Sequence, residues 1–254
     1  MLESFAGTWV YRESVESTND LAKEIVSDPR GPLPVVVWTK RQTRGRGRGD
    51  HVWWSDEGSL TFTVGFDPAA LGLERRHEPR IALATSVAVI ETLAPLGINH
   101  GLEIRWPNDI EASGRKLGGL LPERVETPQG PRLVVGLGIN VFTHFDGAPD
   151  EVRKMAVSVA ELASTPLPFA DLGDLIEPIL TKLSEALGRL SRDDSALSGR
   201  WEALDGLRDK AVRINLGSRI LQGVGRGIDE EGALLVASGG VIHRIFGGQV
   251  LRDR

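Results

Sequence analysis

The sequence predicts an α+β fold with a small β-barrel at its C-terminal end. In the larger N-terminal part, runs with strand and helix periodicity follow each other without strict β–α–β alternation, which is typical of an α+β domain. After about Leu207 the chain changes to short strands separated by glycine-containing turns, the pattern of a small barrel. We therefore expect two domains, residues 1–206 and residues 207–254.

Each element has a local signal. Ser17 and Asp20 resemble a capping box, which predicts the start of a helix. Residues 59–66 alternate large apolar with small side chains and predict a half-buried strand. Pro79 fits the first turn of a helix that ends near Leu93. The other predicted strands are 9–12, 34–39, 103–106, 116–125, 133–142, 211–216, 220–228, 233–237 and 241–246, and the other predicted helices are 172–190 and 195–204.

Composition excludes several classes of protein. Of the 254 residues, 41% are hydrophobic and 26% charged, as in an ordinary globular protein. The absence of cysteine excludes a disulfide scaffold, a thiolate metal site and a cysteine nucleophile. The five histidines lack the spacing of a metal site, so we expect no metal held by the protein itself. No secretory signal is visible, and the apolar stretch 81–96 is too short and too polar to span a bilayer, so we expect a cytoplasmic protein without a membrane partner.

Residues 40–48 form a cationic segment in an otherwise acidic chain. They carry five positive charges and no acidic residue, which leaves the other 245 residues with a net charge of −10. Glycines alternate with arginines there, so backbone N–H groups and guanidinium forks could together hold phosphates or carboxylates. The alternative interpretation is a solvated Arg-Gly loop that binds RNA. The segment is not a Walker A loop, because the final Gly-Lys-Ser/Thr is missing.

Three further segments combine structural signals with polar side chains. The sequence Arg-Trp-Pro-Asn-Asp at residues 105–109 favours a turn, because Pro, Asn and Asp are common turn residues. It would also present a side-chain amide and a carboxylate at the end of a strand. In residues 114–121, two glycines soon after Lys116 imply the close approach of a neighbouring group. Residues 136–141 read as a buried strand with packing glycines. Taken singly, the turn and the strand favour a purely structural interpretation.

Taken together and in this order, the segments resemble the biotin–protein ligase family. The matching segments are residues 17–20, 42–48, 53–55, 105–109, 114–119 and 136–140, with 200–202 and 225–234 near the C-terminus. The resemblance implies a mixed-sheet catalytic domain of the biotin/lipoate ligase type, followed by a small SH3-like β-barrel. Because the first matching segment begins at Ser17, we expect no N-terminal DNA-binding domain and no DNA partner.

The resemblance also implies an activity and a set of site residues. Biotin and ATP, which would arrive with Mg²⁺, would form biotinyl-5′-AMP, and biotin would pass to a lysine of a biotin carboxyl carrier domain, typically of acetyl-CoA carboxylase. The implied catalytic residues are Lys116, Arg48 and Asp109. The implied biotin-binding residues are Ser17, Thr18, Asn19, Gln42, Arg46, Gly47, Arg48 and Lys116, and the implied adenylate-binding residues are Arg46, Arg48, Trp53, Asn108, Lys116 and Asn140. We expect residues 41–52 to become ordered when an anionic ligand binds.

The chain departs from the family pattern at three places. Arg105 stands where lysine is usual, Asp50 and His51 stand where a second Gly-Arg pair is common, and Gln249 stands where glutamate is frequent. Arginine and lysine differ in hydrogen-bond geometry, so the first departure is not neutral. Two alternatives stay open: a lipoate-type ligase of related fold, and a noncatalytic biotin binder. The resemblance is also compatible with a homodimer.

Overall fold

The computed structural model describes residues 7–98 and 101–252. Its larger part is built on a seven-stranded mixed sheet with the order β1-β2-β3-β7-β6-β5-β4. The first pair, β1 and β2, is parallel, and the other neighbours in this sheet are antiparallel. The strands are β1 (Thr8–Val15), β2 (Val35–Gln42), β3 (Ser59–Phe66), β4 (Leu102–Arg105), β5 (Asp109–Ala112), β6 (Arg115–Thr127) and β7 (Gly130–Asn140).

Helices cover both faces of this sheet. They are α1 (Thr18–Ser27), α2 (Ile81–Leu93), α3 (Asp150–Met155), α4 (Val159–Leu162), α5 (Ile176–Leu190) and α6 (Ser195–Ala203). The apolar residues of α2 and α5 belong to the main core on one face. On the opposite face, α1 packs through a smaller apolar cluster that includes Ala22, Val26 and Val134. The mixed strands and helices confirm the predicted α+β class.

The central strand β3 is buried along its whole length, so the expectation of a half-buried strand is wrong. Its large side chains, such as Phe62, lie in the main core. Its small side chains face α1: the hydroxyl of Thr63 bonds to that helix, and a Cβ at Gly65 would lie 2.7 Å from Val26. The alternation therefore separates two buried faces, with small residues where the helix approaches most closely.

Two predicted helix starts differ in detail. Ser17 is the N-cap residue of α1, but its side chain makes no capping hydrogen bond, so the predicted capping box does not form. The carboxylate of Asp20 instead forms an ion pair with the guanidinium of Arg46. Arg46 thus competes with the backbone N–H at the start of α1 for this carboxylate. Pro79 lies in a 3₁₀ helix, Arg75–Arg80, that leads into α2, and not in the first turn of α2 itself.

The helical run that contains α2 is longer than the apolar stretch 81–96. It extends over Arg75–Leu96, 22 residues, which in length and composition alone is enough to cross a membrane. In the fold, 67% of its most apolar part is buried inside the protein, where it serves as the central core helix.

The C-terminal part forms a separate five-stranded antiparallel sheet with the order β11-β10-β9-β8-β12. Its strands are β8 (Ala211–Asn215), β9 (Ile220–Ile228), β10 (Leu234–Ser238), β11 (Val241–Ile245) and β12 (Gln249–Val250). This is the predicted SH3-like domain, with one short strand, β12, that the sequence pattern did not indicate.

Two buried tryptophans fix this domain to the larger one. The indole N–H of Trp106 donates to the carbonyl of Gly232 at 3.0 Å, and that of Trp201 donates to the carbonyl of Asp229 at 3.1 Å. Both acceptors lie in the turn between β9 and β10. Buried carbonyl groups need hydrogen-bond donors. These two bonds therefore hold the turn between β9 and β10, and with it the SH3-like domain, against the larger domain. As a result, β12 borders the same cleft as the central sheet.

Candidate active site

A cleft of about 1450 Å³ lies where the central sheet, α1, the loop of residues 45–53 and the SH3-like domain meet. Every site residue predicted from the sequence lines this one cleft. They are Ser17, Thr18, Asn19, Gln42, Arg46, Gly47, Arg48, Trp53, Asn108, Asp109, Lys116 and Asn140. The structure thus brings together residues that are separated by more than 120 positions in the chain, while their individual roles stay predictions.

The start of α1 forms a buried polar floor. The side-chain carbonyl of Gln42 accepts hydrogen bonds from the backbone N–H of Thr18 at 2.8 Å and from its hydroxyl at 3.1 Å. The hydroxyl of Thr63 lies 2.8 Å from that of Thr18 and 2.7 Å from Oδ1 of Asn19. Because these groups already satisfy one another, their orientation is fixed before a ligand binds.

Two glycines of β7 create the room for this floor. A Cβ at Gly136 would lie 2.1 Å from Oδ1 of Asn19, and a Cβ at Gly138 would lie 2.5 Å from the indole ring of Trp53. Both distances are far below van der Waals contact, so any larger residue would push these side chains away. The glycines of residues 136–140, which alone suggest only packing, therefore seat two predicted site residues on the sheet.

Lys116 and Asp109 form an ion pair on the wall of the cleft. The ammonium of Lys116 donates to Oδ1 of Asp109 at 2.8 Å, and it lies 5.7 Å from the ring centroid of Trp53. A Cβ at Gly119 would lie 3.3 Å from Nζ of Lys116, which explains the close approach that the sequence implied. The cation is thus held between a carboxylate and an aromatic face.

The two predicted asparagines bind backbone carbonyls. The side-chain amide of Asn108 donates to the carbonyl of Leu120 at 2.7 Å, and that of Asn140 donates to the carbonyl of Lys116 at 3.3 Å. Both bonds fix the strand segment that carries Lys116. Each side-chain amide keeps an oxygen and a second N–H for other partners.

The basic loop is folded as a small hairpin. The backbone N–H of Gly47 donates to the carbonyl of His51 at 2.7 Å, and that of Trp53 donates to the carbonyl of Gly45 at 2.9 Å. Gly49 turns the tip with a φ of +59°, a value that favours glycine. The repeated glycines are therefore explained in part by the geometry of the turn.

Most cations of the basic segment are paired with carboxylates. Lys40 pairs with Glu13 and Arg44 pairs with Glu16. The guanidinium of Arg46, predicted to face an anionic ligand, is held by Asp20 and Glu123. Within residues 7–98 and 101–252, Arg48 has no carboxylate partner, and it donates only to the carbonyl of Gly248 at 3.3 Å. Of the cations of this segment that line the cleft, Arg48 is thus the one that no described carboxylate pairs with, whereas Lys116 on the cleft wall is paired with Asp109.

The SH3-like domain contacts the loop through two of the residues that depart from the family pattern. Nε2 of His51 and Nε2 of Gln249 lie 2.9 Å apart, which is a hydrogen bond when the histidine nitrogen accepts. Together with the bond from Arg48 to Gly248, this contact closes the cleft on the C-terminal side. This contact thus joins two of the positions where the chain departs from the family pattern.

The third departure, Arg105, belongs to a second contact between the domains. Its guanidinium lies 3.7 Å from the buried carboxylate of Glu111 and donates to the carbonyl of Leu251 at 3.2 Å. Arg252 also binds Glu111. Burial raises the pKa of Glu111, although Arg252 and Arg105 act in the opposite direction. A lysine lacks the fork needed to reach both acceptors, so arginine suits this position.

Two parts of the cleft network were not predicted from sequence. They are the carboxylate of Glu123, which binds Arg46, and the Glu111–Arg252 pair. Each pair joins residues distant in the chain, and neither contains a motif. Among residues 7–98 and 101–252, no group of three or more His, Asp or Glu residues could hold a metal ion.

Comparison with known families agrees with this architecture. The model of the Biotin/lipoate A/B protein ligase family matches residues 11–140, and the model of the Biotin protein ligase C terminal domain matches residues 209–252. Fold, cleft and matches define the class: an enzyme, a ligase with a mixed-sheet catalytic domain and a C-terminal SH3-like domain. The chain belongs to the Biotin/lipoate A/B protein ligase family.

Individual relatives cover most of the chain. The Bifunctional ligase/repressor BirA of Escherichia coli (strain K12) is 29% identical over 248 residues, which cover 93% of this chain and 71% of that protein. The Biotin–[acetyl-CoA-carboxylase] ligase of Mycobacterium tuberculosis is 28% identical over 224 residues, which cover 87% and 79%. Among solved structures, the biotin protein ligase from Aquifex aeolicus in complex with biotin and ATP shares the fold, with a TM-score of 0.80 and 24% identity over 96% of this chain and 97% of that one.

Replacing Gly138 with alanine should displace Trp53, because the new Cβ would lie 2.5 Å from its ring. We expect Gly138→Ala to lower the free energy of unfolding by about 1–3 kcal/mol and to change the tryptophan bands in near-ultraviolet circular dichroism. Gly199→Ala, in α6, is the control, because nothing lies within 4 Å of its Cβ position. Unchanged tryptophan bands in Gly138→Ala would contradict the seating of Trp53 on β7.

Proposed function

We propose that this enzyme attaches biotin, through biotinyl-5′-AMP, to a lysine of the biotin carboxyl carrier domain of a biotin-dependent carboxylase. One observation carries the proposal: a single cleft collects Lys116, Arg48 and the polar start of α1, in a chain that belongs to the family. The name of the Mycobacterium tuberculosis relative supports biotin as the acid, and the Aquifex aeolicus complex supports both biotin and ATP.

The first step joins two anions. A carboxylate oxygen of biotin attacks the α-phosphorus of ATP, and pyrophosphate leaves. The carboxylate is ionised at neutral pH and needs no general base. The barrier comes from repulsion between the anions and from charge that develops on the leaving group, and fixed cations and N–H donors lower it. Lys116 and Arg48 are the cations suited to this, while Mg²⁺ would enter as the companion of ATP.

The polar start of α1 suits the uncharged end of biotin. Ser17, Thr18 and Asn19 are buried, and Gln42 bonds to Thr18 from the neighbouring strand. We therefore assign the ring end of biotin to this floor and its carboxylate to the side of Lys116. Trp53, Asn108 and Asn140 then border the adenylate, and the hairpin loop covers it against hydrolysis by water.

The second step transfers the acyl group to an amine. The carrier lysine attacks the acyl carbon, the bond from that carbon to the AMP oxygen breaks, and the amine loses a proton. A lysine has an ordinary pKa of about 10.4, so its neutral form must be generated at the site. We assign to Asp109 the role of orienting this amine or accepting its proton. Its contact with the ammonium of Lys116 supports the assignment in that the carboxylate lies in the cleft and can hold an amine group.

The proposal extends to location and partners. We infer a cytoplasmic enzyme whose partner is the carrier domain, with no DNA or membrane partner, and with a domain boundary near residues 206 and 207. A homodimer is compatible with it. Two observations disfavour the alternatives: the match to the Biotin protein ligase C terminal domain disfavours a lipoate-type enzyme, and the pairing of Arg44 and Arg46 with carboxylates disfavours an RNA-binding loop.

Lys116→Ala should slow formation of the adenylate. We expect the biotin-dependent exchange of labelled pyrophosphate into ATP to fall about 100-fold or more, the effect of removing one group that stabilises developing charge. Lys182→Ala, a partly exposed lysine of α5 that pairs with Glu185, should keep the wild-type rate. Exchange at the wild-type rate in Lys116→Ala would contradict its role, and exchange with lipoate instead of biotin would favour the alternative ligase.

Asp109→Asn should slow transfer more than activation. With preformed biotinyl-AMP and a carrier domain, we expect the transfer rate to fall about 100-fold to 10,000-fold, the usual contribution of a positioned proton acceptor. Asp209→Asn, which removes a carboxylate paired with Arg226 on the SH3-like domain, is the matched control. A normal transfer rate in Asp109→Asn would remove this residue from the mechanism.

A further inference from the structure

The carboxylate of Glu123, on β6, accepts hydrogen bonds from three side chains, two on α1 and one in the basic loop. Its Oε2 accepts from the side-chain amide of Asn19 at 2.8 Å and from the guanidinium of Arg46 at 2.9 Å. Its Oε1 accepts from the ammonium of Lys23 at 2.6 Å. Only 23% of the Glu123 side chain is exposed, so these bonds are screened less than those of surface pairs. Charge-assisted bonds of this length are the strong ones.

Asp20 completes the cluster. Its Oδ1 lies 2.6 Å from the guanidinium of Arg46 and 3.5 Å from the ammonium of Lys23. Two cations therefore face two carboxylates, and the cluster is neutral as a whole. Burial by itself would raise the pKa of Glu123, but the hydrogen bonds from Lys23, Asn19 and Arg46 outweigh it and hold that pKa below its ordinary value. Glu123 is thus charged at neutral pH.

The partners of Glu123 come from the two parts of the cleft that have to meet. Asn19 belongs to the polar floor, where it also lies against Gly136 and Thr63. Arg46 belongs to the hairpin loop, whose next cation is Arg48. Nη2 of the planar Arg46 guanidinium contacts the carboxylates of both Asp20 and Glu123, and Nη1 lies 3.4 Å from Oε1 of Glu123. The side chain of Arg46 is therefore an anchor of the loop.

We propose that Glu123 is a positioning residue that ties the basic loop to the floor of the cleft, with Arg46 as the anchored side chain and Arg48 as the cation left for the ligand. This inference rests on the proposed function, since the ligand is taken to be the biotinyl-adenylate. It divides the basic loop into a structural arginine and a ligand-facing arginine, two residues apart. Glu123 acts through Arg46 and Asn19 and touches no substrate.

Glu123→Gln tests the anchor, because it keeps the shape and removes the charge. We expect the KM for biotin in pyrophosphate exchange to rise about tenfold, with a smaller change in kcat. Without the anchor, part of the free energy of ligand binding is used to order the loop. Cleavage by trypsin after Arg46 or Arg48, without ligand, should become about tenfold faster for the same reason. Glu126→Gln, on the same strand and paired with Arg124, should change neither quantity.

A double-mutant comparison identifies the partner. In the Arg46→Gln background, adding Glu123→Gln should change loop cleavage little, because the bond between Glu123 and Arg46 is already lost. In the Arg48→Gln background, adding Glu123→Gln should accelerate loop cleavage as much as it does in the wild-type chain. Wild-type KM and wild-type loop cleavage in Glu123→Gln would overturn the proposal. A lower melting temperature with unchanged loop cleavage would also overturn it, since Glu123 would then be merely structural.

The trypsin measurement does not depend on activity. If the wild-type chain shows no biotin-dependent exchange, the proposed function fails, while faster loop cleavage in Glu123→Gln still supports the anchor. If the wild-type chain is active and cleavage does not change, the anchor fails and the proposed function stands.

Discussion

The cleft depends on a steric constraint at the centre of the sheet. Asn19 and Trp53 lie so close to β7 that a Cβ at Gly136 or Gly138 would come within 2.1 Å and 2.5 Å of them. Because the strand carries no side chain at these two positions on this face, the start of α1 and the end of the basic loop can both rest directly on backbone. Trp53 then flanks Lys116, so the geometry of the cationic site follows from the absence of two methyl groups.

Charge pairing shapes the cleft as much as charge itself. The chain places five positive charges in nine residues, yet the fold sets carboxylates from β1, α1 and β6 against most of them. The result is a loop that is fixed by its own cations, while Arg48 has no carboxylate partner among residues 7–98 and 101–252. Selective pairing of this kind gives a local field for an anion without a basic surface that would attract nucleic acid in general.

Local patterns predicted most of the fold. Alternation identified strands, the glycine turns identified a small C-terminal β-barrel, and the order of the polar and glycine-rich segments indicated the family, which implied that the barrel is SH3-like. The same patterns failed where the outcome depends on distant residues. The alternation of β3 could not reveal that α1 covers its small face, and nothing near Ser17 shows that Arg46 takes the carboxylate of Asp20. Glu123 is 77 positions from Arg46, and no motif connects them.

The site was predicted as a set of residues, but not as an arrangement. Motifs predicted the twelve residues as one site because each motif is short and chemically distinctive. The division of labour between Arg46 and Arg48, and the contact of His51 with Gln249, required the positions of the SH3-like domain and of β6. The chemistry proposed for the cleft is the activation of a carboxylate as a mixed anhydride with AMP. Transfer from biotin labelled with ¹⁸O in both carboxylate oxygens tests it directly. This mechanism predicts one labelled oxygen in the AMP released after carrier modification, and label in pyrophosphate, or none in AMP, would contradict it.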